Sequence, residues 1–168
     1  MDGYAMETAI EMLQDMCPIF EYHGLFTADE LLSISNALPG IYVINTLNAA
    51  DVQPGHVGHW VIALVYSTFD NYFKRECVFF DPLAKDPHDL NVNIDTFIAS
   101  HFSNYVRCKY QIQSSTSVGC GYFCLAFCYW TIAQNLSLSE IMLKFSKTDY
   151  FKNEVLVRKL CYEAFYLR

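Results

Sequence analysis

His59-Trp-Val-Ile-Ala-Leu-Val-Tyr66 is the strongest strand signal in the chain. It is a short apolar run rich in β-branched and aromatic residues. Asp70-Asn71 marks a turn after it, and Glu76-Cys-Val-Phe-Phe80 returns as an antiparallel mate that Asp81-Pro82 ends. Ile41-Tyr-Val-Ile-Asn-Thr46 reads as a further buried strand, and Asn104–Gln113 as another. Between Ile41–Thr46 and His59–Tyr66, Leu47–Gly58 is a polar loop punctuated by Pro54, Gly55 and Gly58.

Helical patterns surround this hairpin. Residues 5–16 are amphipathic, and Pro18 and Gly24 break the pattern. Thr27-Ala-Asp-Glu30 has the form of a capping box and predicts a second helix to Leu38, stopped by Pro39-Gly40. Val92–Phe102 reads as a helix led by Asn91 or Asn93. Cys120–Asn135, a segment from Ser137 or Ser139 to Phe145, and Asp149–Phe165 follow, the last with Phe151, Val155, Arg158 and Tyr162 at helical spacing. Helices flanking a central antiparallel hairpin predict an α+β domain spanning residues 1–168.

Composition narrows the class. Of 168 residues, 53% are hydrophobic and 17% charged, which fits a packed core and excludes a disordered chain. The opening residues are acidic and amphipathic, unlike a secretory leader. Seven cysteines, an odd number without scaffold spacing, point to free thiols in a reducing compartment. The net charge of −7 is unevenly placed, with −11 in residues 1–100 and +4 in residues 101–168. An acidic surface argues against general nucleic-acid binding. Val118–Ala133 is an uncharged run of 16 residues, short of the roughly 20 a membrane span needs and better read as a buried helix.

The start of that helix is chemically distinctive. Gln113-Ser-Ser-Thr-Ser-Val-Gly-Cys120 is a polar loop running into an apolar helix, with a thiol at the junction. Free N–H groups and partial positive charge at a helix start favour a thiolate. Taken alone, Cys120 would more often be a buried small hydrophobe, and that is the reading for Cys124 and Cys128 at i+4 and i+8. Cysteines on one helix face cannot close a zinc tetrahedron without partners elsewhere, so no metal or other cofactor is expected.

A reactive thiol needs a base, and the base needs an orienter. Of the five histidines, His59 stands where the central strand opens. A turn at Asp70-Asn71 gives facing residues an index sum of 140 or 141, which sets His59 opposite residue 81 or 82. Residue 81 is aspartate, a group that fixes an imidazole tautomer and stabilises imidazolium. Gln113, seven residues before Cys120, offers a side-chain donor to an oxyanion, as does the Cys120 amide. Each residue alone has an ordinary structural reading. The combination in this order is what points to catalysis.

The residues Val43-Ile-Asn-Thr46, Gly58-His-Trp-Val-Ile-Ala63, Phe79-Phe-Asp-Pro82 and Gln113-x6-Cys120-Gly-x-Phe-Cys124 resemble the adenovirus-type endopeptidase (adenain). That family lies in the cysteine-protease clan that includes SUMO-specific proteases. The resemblance implies a compact α+β cysteine-protease fold, with the nucleophile at the N-terminus of a central helix. It implies Cys120 as nucleophile, His59 as general base and acid, Asp81 as orienter, and Gln113 as oxyanion donor. Trp60 would pack by the site and shield it, as part of the substrate-binding surface. The implied reaction is peptide hydrolysis through an acyl-thioester, after Gly-Gly or Gly-X, in viral or virus-like precursor proteins. Isopeptidase action on SUMO- or ubiquitin-like tails is the alternative, and a non-catalytic scaffold descendant a further one.

The implied setting is host nucleus or cytoplasm and virion, with a monomeric enzyme and no membrane partner. Two family traits fit poorly. The chain is acidic, which argues against stimulation by DNA, and it has Asp81 where the adenovirus enzyme has glutamate. An activating peptide is part of the family pattern, but Cys108 lies several residues closer to Gln113 than the peptide-linking cysteine would.

Overall fold

A computed structural model describes the chain except for residues 2, 19, 57, 69, 70, 167 and 168. Five strands form one sheet in sequence order. They are β1 (Tyr22–Thr27), β2 (Gly40–Asn45), β3 (Trp60–Thr68), β4 (Asn71–Phe80) and β5 (Tyr105–Arg107). The inner pairs β2–β3 and β3–β4 are antiparallel, whereas the outer pairs β1–β2 and β4–β5 are parallel. Six α-helices accompany the sheet: α1 (Gly3–Met16), α2 (Pro87–Leu90), α3 (Val92–His101), α4 (Cys120–Ile132), α5 (Leu138–Met142) and α6 (Tyr150–Cys161). A single π-type turn, Tyr162–Tyr166, follows α6.

The inner strands carry unbroken apolar runs, Ile41–Ile44, Trp60–Val65 and Cys77–Phe80, because both faces of the sheet are covered there. Ile41, Val43, Ile62, Leu64 and Phe80 face a core shared with α1 and α4, where Phe80 stacks on Phe127 with centroids 4.4 Å apart. Tyr42, Ile44, Ala63 and Phe79 face the other core, shared with α3. Helix α4 is apolar all round and almost wholly buried, as a helix at the centre of a domain must be. Among the described residues no helix is long and apolar enough to cross a membrane.

Several elements differ from the sequence reading. The helix expected over Thr27–Leu38 is one 3₁₀ turn, Glu30–Ser33. Half of the capping box forms: the Thr27 N–H donates to the Glu30 carboxylate at 2.8 Å. The Thr27 hydroxyl, however, donates to Asp29, because Thr27 still belongs to β1. Strand β1 itself escaped notice because it is only partly buried and shifts register around Gly24. The strand expected over Asn104–Gln113 pairs over three residues only. Beyond it, the Ile112 and Gln113 N–H groups donate to the Pro82 carbonyl, drawing the chain across the ends of the strands.

In the hairpin, facing residues sum to 142, as in Ile62↔Phe80 and Tyr66↔Glu76. The register shifts between Ser67 and Thr68, so extra residues of β4 are taken up near the turn. Asp70 of the expected turn lies outside the described residues. In α6 the helix is where the sequence puts it, but its buried stripe is Asn153, Val157 and Cys161. Phe151, Val155 and Tyr162 are exposed. Helix α4 stops at Ile132, and Asn135 then takes a left-handed φ of 53°, ending the helical run.

Candidate active site

Cys120 begins α4, His59 sits one residue before β3, and Asp81 one residue after β4. The His59 backbone is held by Thr46: its N–H donates to the Thr46 hydroxyl at 3.3 Å, and its carbonyl accepts from the Thr46 N–H at 2.9 Å. Gly58 makes the approach to His59 feasible. Its φ is +66°, and a Cβ there would stand 2.2 Å from Asn45 Oδ1.

Asp81 is 1% exposed, and its carboxylate is fully engaged. Oδ1 accepts from His59 Nε2 at 2.6 Å and from the Leu83 N–H at 2.9 Å, and Oδ2 accepts from the Lys85 N–H at 2.9 Å. The imidazole shares the cleft wall with Cys120, and the two influence each other's charge. Carboxylate, imidazole and thiol are therefore brought together at one place. The β3–β4 ladder ends at Ile62↔Phe80, and past it the Trp60 peptide is bound by thiols. Its N–H donates to Cys120 Sγ at 3.4 Å, and its carbonyl accepts from Cys124 Sγ at 3.2 Å.

These contacts set the protonation states. Burial opposes the Cys120 thiolate, but its interaction with the His59 imidazolium, joined by the Trp60 and Gly121 N–H groups, holds its pKa below the ordinary thiol value. Burial likewise opposes the His59 imidazolium, but Asp81 and Cys120 raise its pKa to about 9. The pair is thus stabilised as thiolate and imidazolium. One turn on, burial drives Cys124 far above the ordinary thiol value, and Cys128, buried in the same row, is also raised.

Gln113 is 1% exposed and lies beside Pro82 through its backbone. Its amide nitrogen donates to the Ser117 carbonyl at 2.9 Å, and that nitrogen carries a second hydrogen. A cavity of about 310 Å³ opens over the thiol, with His59, Trp60, Thr46, Leu83 and Lys85 among its walls. The Trp60 indole is itself buried, and its Nε1 donates to the Met1 carbonyl at 3.3 Å.

His59, Trp60 and Cys120 thus line one cleft, Asp81 reaches it through His59, and Gln113 reaches its wall through Ser117. Cys108 does not join them. It is 1% exposed, packs in the core, and burial pushes its thiol up to about 12, so it is not placed to cross-link to a peptide. The sequence reading missed Thr46 as the support of His59, although its Asn-Thr segment had drawn notice. It also missed Ser117, Asn153 and Glu154, described below.

No protein-family model and no curated protein matches the chain. Solved structures do. ChlaDub1 from Chlamydia trachomatis matches with a TM-score of 0.56 at 14% identity, over 98% of this chain and 92% of that one. Chlamydia trachomatis effector protein Cdu1 bound to ubiquitin gives 0.45 at 15% identity, over 97% and 81%. The central domain of Lpg1148 from Legionella pneumophila gives 0.46 at 10% identity, over 98% of each. The likeness to ChlaDub1 is one of fold alone, and it extends over nearly all of both chains.

Proposed function

We propose that this chain is a cysteine hydrolase that cleaves after the Gly-Gly tail of a ubiquitin-like protein. The observation that carries the hydrolase reading is the Asp81–His59 hydrogen bond set beside the Cys120 thiol at the start of a buried helix. The fold shared with ChlaDub1, whose name marks it as a deubiquitinase, supports a deconjugase over a processor of viral precursors.

The geometry supports the following steps. The Cys120 thiolate attacks the carbonyl carbon of the scissile bond. Charge develops on the carbonyl oxygen, which the Cys120 N–H and the second Gln113 amide hydrogen receive. The His59 imidazolium donates its proton to the departing amine, leaving a thioester on Cys120. Neutral His59 then takes a proton from water, the hydroxide adds to the thioester, and the thiolate leaves. Asp81 holds Nε2 of the imidazole throughout and does not itself transfer the proton.

The test compares a Gly-Gly-X peptide with ubiquitin and SUMO fusions. Faster release from the folded fusions is expected. Cleavage of the peptide alone would instead favour a precursor-processing endopeptidase, the reading that the adenain-like motifs supply. If no substrate is cleaved and Cys120 is alkylated no faster than a simple thiol, the fold serves a non-catalytic role.

A further inference from the structure

The loop that carries Gln113 and leads into Cys120 has little apolar anchorage. Ser115, Thr116 and Val118 are exposed, and Val118 is 82% exposed. Hydrophobic burial therefore does not fix its shape. Polar contacts from the C-terminal helix do.

Two adjacent α6 residues hold the two ends of this loop. Asn153 is 1% exposed. Its Nδ2 donates to the Ile112 carbonyl and to the Ser146 carbonyl, each at 2.8 Å, and its Oδ1 accepts from the Ser146 N–H at 2.8 Å. A buried amide with both donor hydrogens and its acceptor occupied is a rigid tie. It fixes the residue immediately before Gln113.

Glu154 holds the other end. Its Oε2 accepts from the Ser117 hydroxyl at 2.7 Å, while its Oε1 accepts from Arg158 Nε at 2.9 Å and from a second Arg158 nitrogen at 2.6 Å. Arg158 in turn lies 4.3 Å from the Tyr122 ring centroid, on α4. Ser117 is the hub. Its hydroxyl oxygen accepts from the Gly119 N–H at 3.0 Å, and its carbonyl accepts from Gln113 Nε2 at 2.9 Å. One residue thus orients both the Gln113 amide and the peptide before the nucleophile. The fit is close: a Cβ on Gly119 would stand 3.0 Å from Ser117 Oγ and 3.2 Å from Glu154 Oε1.

We propose that α6 braces the 113–119 loop, with Asn153 and Glu154 as positioning residues that act through Ser117 and Gln113. The proposal rests on the reading of Gln113 as an oxyanion donor. Because Glu154 touches neither His59 nor Cys120, its loss should leave the thiolate–imidazolium pair intact and misplace only the donor. Asn153 is buried, so Asn153→Ala risks unfolding, and Glu154 is the better probe.

The experiment measures kcat, KM, the pH profile of Cys120 alkylation by iodoacetamide, and hydrogen exchange of the Gln113 side-chain amide by NMR. Glu154→Ala should lower kcat about tenfold, part of the 10²–10³ that a whole donor is worth. KM and the alkylation profile should stay unchanged. Glu154→Gln keeps an acceptor for Ser117 and should restore most of the loss. Combined with Gln113→Ala, Glu154→Ala should add nothing. Alkylation that falls in step with kcat, or a multiplicative double variant, would overturn the brace in favour of general loosening. If the wild type cleaves no substrate, the functional reading fails separately. The Gln113 amide then decides: faster exchange in Glu154→Ala upholds the brace, and unchanged exchange refutes it.

Discussion

Cys120 and Cys124 stand one helical turn apart on the same face of α4, and both touch the Trp60 peptide. Their chemistry is opposite. Cys120 receives an N–H and an imidazole, so its negative charge is stabilised. Cys124 is fully buried and gives its own hydrogen to a carbonyl, so it remains a thiol. Thiol reactivity here is a property of the helix terminus and its neighbours, and one turn is enough to reverse it.

The strongest way to break this comparison is to delete each sulfur in turn. Cys120→Ala should lower turnover by about 10⁶, the scale seen when a hydrolase loses its nucleophile. Cys124→Ala should leave turnover within a few-fold and cost about 1 kcal/mol of stability from the small cavity left behind. Denaturant titration and turnover assays separate the two, and a catalytic collapse in Cys124→Ala would mean the roles are shared.

The partners come next. His59→Ala should cost nearly as much as the loss of the thiol, whereas Asp81→Asn should cost about 10⁴. Equal activity of His59→Ala and wild type would move the base elsewhere. Gln113→Ala follows, with an expected fall in kcat of about 10²–10³. An unchanged kcat would leave the Cys120 N–H as the working oxyanion donor.

The smallest expected effect is on pH. The rate should rise through the lowered Cys120 pKa and fall as pH passes about 9, where His59 loses its proton. Stability carries a matching sign. The folded pKa of His59 lies above its ordinary 6.5, so its contribution is complete below 6.5 and lost as pH rises through about 9. The unfolding midpoint should therefore fall over that interval, and less steeply in Asp81→Asn. An alkaline limb near 6.5 instead would show that the ion pair does not form.

Much of this site is legible in the sequence. The hairpin sum brought His59 to Asp81 even though the register was off by one or two, because both residues lie just outside the paired strands. Side chains at strand ends tolerate a slip that would misplace a residue inside the ladder. The brace was not legible. Its residues are a serine in a polar loop and two polar positions on a helix whose apolar-looking stripe of Phe151, Val155 and Tyr162 proves to be exposed. One clue was present: Asn153 shares its face with Val157 and Cys161, and a polar residue on a buried stripe has hydrogen bonds to satisfy. Strand β1 was missed for a different reason, since partial burial along its length blurs any periodicity.

The Asp81 carboxylate has a wider reach than its role toward His59. The carboxylate that holds the imidazole through Oδ1 also folds residues 83–85 back over the cleft, where Leu83 and Lys85 form part of the cavity wall and Ala84 takes a left-handed φ of 55°. The hold on the imidazole and the shape of the cleft wall therefore depend on one side chain of fixed length. A glutamate, longer by one methylene, would have to give up one of those duties. An Asp81→Glu variant should therefore alter the cleft wall at residues 83–85 together with the imidazole contact.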